Sequence, residues 1–244
     1  MKKLIAAAAF AAVVSAAGAA GATQFVVNGD FTSLTNGLGQ MDAFTQATGW
    51  TSTNVAQNAY NFVMADGNVG SNGQYGNVAL WTQANAGNGW NGLAALSGNF
   101  VALDDDFQIG ALTQTITGLT VGQTYTFTYE YAFAQQLGFT GPTTQSLEAD
   151  VGPDFAQNSG NVTLGSQGFI GWQAGGGAFT ATQTSETLSF LATGSPQVPP
   201  FALVSNVSIT GGVPEPAAWA MMLFGFGGLG ALARLRARRF AARA

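Results

Sequence analysis

The sequence predicts an all-β domain, an antiparallel β-sandwich or jelly roll, flanked by an apolar signal helix at the N-terminus and a transmembrane helix at the C-terminus. Three observations predict the sandwich. Residues 124–134 alternate strictly, with Tyr125, Phe127, Tyr129, Tyr131 and Phe133 on one face and Thr124, Thr126, Thr128, Glu130 and Ala132 on the other. That period of two belongs to a strand and fails for a helix. Turn dipeptides punctuate the chain at Asn28-Gly29, Asn36-Gly37, Asp66-Gly67, Asn72-Gly73 and Asn91-Gly92. No long amphipathic helical pattern lies between the two ends.

Taken in order, the first element is a leader. Lys2 and Lys3 precede an apolar stretch from Leu4 to Ala17, and small residues end at Ala20-Gly21-Ala22. A short positive region, an apolar run and an Ala-x-Ala site make residues 1–22 a secretory signal peptide, with Ala20 and Ala22 as the signal peptidase site and the mature start near Thr23. The run is too short and wrongly flanked for a membrane anchor.

Residues 23–212 form the second part, about the size of one ordinary domain and long enough to bury a core. Strands are expected at 24–27, 99–103, 112–119, 124–134, 147–151, 178–182, 187–192 and 202–210. In 112–119, Leu112, Gln114 and Ile116 oppose Thr113, Thr115 and Thr117. Gly118 to Gly122 then reads as a short connection to the next strand.

Residues 213–244 form the third part. Pro214, Glu215 and Pro216 precede an apolar run, Ala217 to Ala233, followed by Arg234, Arg236, Arg238, Arg239 and Arg243. A helix of that length spans roughly 25 Å at ~1.5 Å per residue, slightly under the ~20 residues usual for a membrane span. Pro216 fixes its start. Trp219 sits where an interfacial aromatic belongs, and the arginines hold the C-terminus inside. A permanent single-span anchor is one reading of such a tail.

Charge bounds the domain's partners. All seven Lys and Arg lie at the two ends of the chain, and it has no His and no Cys. Of twelve acidic residues only Glu215 is in the tail, so the domain carries eleven carboxylates and no cation. Such a surface repels nucleic acid and attracts cations. Serine, histidine or cysteine catalytic systems, His/Cys zinc sites and Lys/Arg phosphate clamps all lack their residues.

Three devices remain. Paired carboxylates are enough for glycoside hydrolysis, and Glu130, Glu148, Glu186, Asp150 and Asp154 are the candidates, Glu130 and Glu148 being expected on the solvent face. Asp104, Asp105 and Asp106 are either a solvated loop or ligands for calcium. Trp50, Trp81, Trp90 and Trp172 are either core residues or platforms for sugar rings. Trp81 and Trp90 stand out because they bracket a Gly/Asn-rich segment.

The C-terminal string Pro214-Glu215-Pro216-Ala217-Ala218-Trp219-Ala220-Met221-Met222-Leu223, continuing through Gly230 to the arginines, closely resembles the PEP-CTERM sorting signal of Gram-negative bacteria. That resemblance implies recognition of Pro214, Glu215 and Pro216 by an exosortase and removal of the tail near the motif. It implies a passing stay in the inner membrane, then release to the cell surface or extracellular matrix alongside exopolysaccharide and biofilm.

A looser resemblance covers the domain. Phe25-Val26-Val27-Asn28-Gly29-Asp30-Phe31 with Gly49-Trp50, the block from Leu112 to Phe127, and Phe201 to Ser208 are similar to the first strand, central hairpin and last strand of galactose-binding-like jelly rolls. It implies a carbohydrate-binding fold, often with a structural calcium. Thr32 and Ser205 stand where that family commonly has Glu and Asp. The expected protein is a non-enzymatic surface or matrix component; a carbohydrate-binding module and a carboxylate-dependent glycoside hydrolase are the alternatives.

Overall fold

The computed structural model describes residues 23–53, 58–65, 70–81, 98–197 and 199–211. The signal segment with Ala20 and Ala22, the tail with Pro214, Glu215 and Pro216, both flanking helices and Trp90 lie outside these residues. The described residues belong to one compact unit, Thr23–Gly211. Among them there is no helix, hence none able to cross a membrane.

The strands are β1 (Thr23–Gln24), β2 (Gly39–Gln40), β3 (Thr51–Thr53), β4 (Phe62–Ala65), β5 (Ser71–Gly73), β6 (Gly76–Val78), β7 (Asn99–Asp104), β8 (Ala111–Thr117), β9 (Thr124–Gln135), β10 (Thr143–Val151), β11 (Phe155–Asn158), β12 (Val162–Leu164), β13 (Phe169–Thr180), β14 (Ser185–Ser195) and β15 (Pro200–Gly211). The larger sheet runs β13-β9-β15-β7-β4-β2-β5-β6, with β1 beside β15. The smaller runs β11-β10-β14-β8-β3, with β12 beside β10. All pairings between these strands are antiparallel except β2 with β5. The all-β antiparallel sandwich expected from the alternation is therefore present.

Two apolar layers hold it. Between the sheets lie Trp50, Leu112, Ile116, Phe127, Phe133, Leu188, Phe190 and Val204, among others. A second cluster, with Tyr60, Phe62, Met64, Phe100, Phe201 and Leu203, covers the other face of the larger sheet. On β15 the period of two divides the layers: Ala202 and Val204 face the first, Phe201 and Leu203 the second. On β9, Thr124, Thr126 and Thr128 are exposed, but Ala132 and Ala134 are buried in the second cluster. Because every described strand pairing and both clusters lie within Thr23–Gly211, this unit holds what it needs to fold by itself.

Several expected elements change. The segment Leu112 to Phe127 is not a hairpin: β8 pairs with β14 and β3, whereas β9 pairs with β13 and β15 in the other sheet. Its connection is an arch between sheets. Gly118 and Gly122 turn the chain at φ +84° and +82°, Leu119 is buried in the core, and Gly118 and Leu119 donate to Thr184 O. Asn72-Gly73 is not a turn but the end of β5; the reversal falls on Gln74-Tyr75, with Gly73 opposite Gly76. The strand expected at 24–27 shortens to β1, and that expected at 178–182 begins at Phe169 with a bulge between Ile170 and Gln173.

The arch is fastened by Tyr125, whose hydroxyl accepts the Thr120 N–H at 2.8 Å. Its ring packs edge-on against Phe25 and stacks on Phe179. Tyr125→Phe keeps the ring and removes the acceptor. It is expected to cost about 1 kcal/mol, read as a fall in Tm of about 2–4 °C; an unchanged Tm would mean the arch does not depend on this bond.

Candidate functional site

The second apolar cluster ends in a cleft of about 350 Å³ lined by Tyr60, Tyr75, Phe107, Gln136, Phe139, Gln197 and Pro199. Each wall has a reason in the fold. Tyr75 is at the tip of the β5–β6 turn, Phe107 follows β7, Gln136 and Phe139 follow β9, and Gln197 and Pro199 precede β15. The register of β4 with β7 and of β7 with β15 brings these distant segments together.

Tyr60, Tyr75 and Phe107 form a mutual trio of rings, with centroids 6.0, 5.5 and 5.7 Å apart. Tyr60 is the buried member; Tyr75 is 64% exposed, Phe107 44% and Phe139 41%. Large aromatic surface left open next to amide side chains is unusual in a monomeric domain, where such rings are normally covered.

Beneath the rings lies a polar layer in which Gln40, Asn61, Asp104 and Gln108 are buried and Gln74 is exposed. Gln108 Nε2 donates to the Tyr75 hydroxyl at 2.9 Å, and Gln74 Nε2 donates to Gln108 Oε1 at 2.6 Å. Gln40 Oε1 accepts the Gln74 N–H, and Asn61 Oδ1 accepts the Asp104 N–H. The layer fixes where Tyr75 points. Gln136 Oε1 is buried and has no partner.

The three consecutive aspartates do not form a solvated loop. Asp104 and Asp105 are fully buried, and only Asp106 is partly exposed. Asp104 Oδ2 accepts the Gln108 N–H at 2.5 Å, while its Oδ1 has no partner. Asp105 Oδ1 accepts the Ala202 N–H, and its backbone carbonyl accepts the Gly194 N–H. With the Gln145 amide oriented to satisfy its neighbours, Nε2 donates to Asp105 Oδ2 and Phe201 O at 3.1 Å each. The aspartates were drawn inward because they close the end of β7 against β15. Among the described residues no three acidic, His or Cys side chains gather as a metal would require.

Burial pushes the Asp104 carboxyl up to about 6, against the opposing pull of the backbone N–H groups it accepts. Burial also lifts Asp105 well above the carboxylate range. The Tyr60 hydroxyl is raised by burial and by the neighbouring Asp104 and Tyr75.

The remaining candidates are placed as follows. Trp50 is a core residue, 3% exposed. Trp172 packs on Phe100, with ring centroids 5.8 Å apart. Trp81 is beside the cleft and not among its lining residues: its N–H donates to Gln135 O and its indole Nε1 to Phe139 O at 3.0 Å. It holds the segment that carries Phe139. The cleft's own aromatics escaped the sequence reading; the available signal was Tyr75, a lone aromatic in a Gly-Gln-Tyr-Gly turn, where nothing local needs a ring.

Of the carboxylates, Glu148 is exposed and Glu130 partly so, accepting from Asn206 Nδ2 at 2.9 Å. Asp154 and Glu186 are neighbours that act on each other's carboxyls, and Asp154 is fixed by the Thr182 N–H and hydroxyl. Glycosidase pairs stand roughly 5–9.5 Å apart to admit a sugar bond or a water. Neither residue lines the aromatic cleft.

Residues 212–239 match the model of the PEP-CTERM protein-sorting motif, so the chain carries that signal of an exported, membrane-transiting protein. No curated protein matches the chain. In structure the chain is similar to a family 61 carbohydrate-binding module, TmCBM61, solved with β-1,4-galactotriose (9% identity, 78% of this chain and 99% of that one, TM-score 0.37). It is similar also to a putative sugar binding protein from Bacteroides thetaiotaomicron (9% identity, 78% and 100%, TM-score 0.33). A third likeness is to the CBM22-1 xylan-binding domain of Paenibacillus barcinonensis Xyn10C (11% identity, 66% and 85%, TM-score 0.33).

Proposed function

We propose that the chain is a non-enzymatic exported protein whose sandwich domain holds a neutral polysaccharide in the aromatic cleft. Exosortase removes its tail at the Pro214-Glu215-Pro216 motif, and the domain then joins the cell surface or the exopolysaccharide-rich matrix. The observation that carries this reading is the convergence of Tyr75, Phe107 and Phe139, all exposed, with the amides of Gln136 and Gln197. Aromatic faces cover the apolar side of a pyranose ring, and amides exchange hydrogen bonds with its hydroxyls. No cation exists in the domain to pair with a uronate or sulfate, so the chemistry favours an uncharged chain.

The test is calorimetry of the unit Thr23–Gly211 against neutral galactan, xylan, glucan and the host exopolysaccharide. Tyr75→Ala and Phe107→Ala are each expected to weaken binding at least ~10-fold, as exposed aromatic anchors do. Tyr75 is the more exposed of the two, so its variant should unfold near wild type, and the Phe107 variant should lose less than a core aromatic would. Binding that survives both substitutions, or no binding to any of these polymers, would overturn the assignment.

A further inference from the structure

We propose that strand β13 is a self-association edge: its outer side pairs antiparallel with β13 of a second copy, extending the larger sheet across a two-fold axis. None of its residues lines the aromatic cleft, so the pairing does not depend on what the cleft holds. β13 ends the larger sheet and pairs on one side only, with β9. It has twelve residues, whereas the other described edge strands have two to four.

The register decides what the edge offers. From Gln173 to Thr180, β13 follows β9 without a break, the bulge lying before it. In an antiparallel strand alternate residues bond the same neighbour. Gly176 turns its N–H away from β9, since that N–H donates to Gln157 Oε1 at 2.7 Å. Ala181, of the other parity, donates to Gln123 O on the inner side. Ala174, Ala178 and Thr180 share the parity of Gly176, and their outward N–H and C=O groups meet no described residue. All three are exposed. Gly175 has no room for a Cβ because the Tyr129 ring fills it, and the run Ala174-Gly175-Gly176-Gly177-Ala178 sets no bulky side chain along the edge to hold a second strand off.

Soluble domains ordinarily blunt such an edge with charge or proline. β13 has neither, and no residue between Asp154 and Glu186 carries a charge. The same stretch supplies β11 and β12, at the edge of the smaller sheet. Gln157 and Phe155 of β11 lie against Gly176 and Gly177 of β13, so the two edges make one uncharged wall of the sandwich.

Charge selects the occupant. The domain carries eleven carboxylates and no cation, so two copies repel wherever those carboxylates face each other. At this wall they meet without like charge. A basic partner would be drawn to the carboxylates instead, away from the wall. A two-fold axis sets each outward residue of β13 against an identical strand, so one chain supplies both halves of the ladder. The tie is backbone hydrogen bonding with little apolar area beside it, which makes the dimer weak and reversible.

The experiment is sedimentation equilibrium of Thr23–Gly211 from about 5 to about 500 μM in about 50 and about 500 mM NaCl, with amide exchange followed by NMR at both ends of the concentration range. Wild type is expected to dimerise reversibly, at least ~3-fold more tightly in the higher salt because screening relieves the repulsion between carboxylates. Exchange at Ala174 and Ala178 is expected to slow on dimerisation, while Gly176, already bonded to Gln157, changes little. Ala178→Glu brings a carboxylate to the edge, and Ala178→Pro removes one outward N–H, as an edge strand tolerates. Each is expected to weaken the dimer at least ~10-fold. The Glu variant, at an exposed position, is expected to unfold at the wild-type temperature, and it decides alone if the Pro variant unfolds early. Four results would overturn the edge: a monomer at every concentration, a dimer that salt does not strengthen, a dimer unchanged by Ala178→Glu, or protection on dimerisation that spares Ala174 and Ala178. The last two would place the interface on another surface.

Discussion

Trp50→Ala is expected to destabilise the domain by about 3–5 kcal/mol, the range for removing a large aromatic from a packed core. Trp50 is 3% exposed and has Phe31 at 5.2 Å and Phe190 at 6.3 Å between ring centroids. Phe31 belongs to the segment after β1 and Phe190 to β14 in the smaller sheet, so within the inter-sheet cluster the indole ties that segment to the smaller sheet. Its Nε1 donates to both Val27 O and Asn28 O at 3.1 Å. Truncation therefore opens a cavity, which sets the cost, because Val27 O keeps the Gln114 Nε2 donor and Asn28 O keeps the Phe31 N–H. Against a total of about 5–15 kcal/mol for a typical domain, that is a large share. Urea unfolding would register it as a lower midpoint at unchanged slope. Glycan affinity, measured well below the new Tm, is expected to stay unchanged because Trp50 does not line the cleft. A loss below 1 kcal/mol would mean the segment after β1 is held elsewhere.

The contrast between Trp50 and Tyr75 marks what the sequence could disclose. Strands β8, β9, β14 and β15 were legible because each is long enough to repeat its period, and their burial follows it. The replacement of Thr by Ala on the second face of β9 even marks where the second cluster begins. Strands β2 to β6 have two to four residues each, too few for any period to show. The likeness to galactose-binding-like jelly rolls implies a hairpin where the structure has the β8–β9 arch; both connections join two strands whose apolar faces meet one core, and only the pairing partners distinguish them. The cleft was invisible for a related reason. Tyr60, Phe107 and Phe139 stand far apart in the chain and meet through the β4–β7 and β7–β15 registers. The aspartates misled because a run of charge ordinarily marks solvent. Here the backbone N–H groups of Gln108 and Ala202 and the Gln145 amide receive their carboxylates, and Asn61 Oδ1 takes the Asp104 N–H.

Those buried aspartates set how the domain responds to acid. Stability is expected to fall as pH rises from about 3 to 7, and Asp104→Asn to remove about 3 kcal/mol of that fall. The unfolded chain releases the Asp104 proton near the ordinary 3.8, while the folded domain holds it until about 6. Between those values the unfolded state binds fewer protons than the folded one, so stability declines with rising pH and levels off above about 6. A separation of about two units corresponds to ~3 kcal/mol. Asp105, raised further by its complete burial, extends the decline in the same direction. Asp154 acts oppositely, its pKa being lowered, but its window lies below the ordinary value and closes as the medium passes about pH 4. The comparison is made by urea unfolding of wild type and Asp104→Asn across the range, in EDTA so that no cation intervenes. Since asparagine resembles the protonated acid, the two proteins are expected to agree near pH 3 and diverge up to pH 6. Parallel profiles would mean that Asp104 ionises freely and that the layer under Tyr60 and Tyr75 admits water. Divergence would establish that burial outweighs the backbone N–H groups Asp104 accepts and keeps its carboxyl protonated in the fold up to about pH 6.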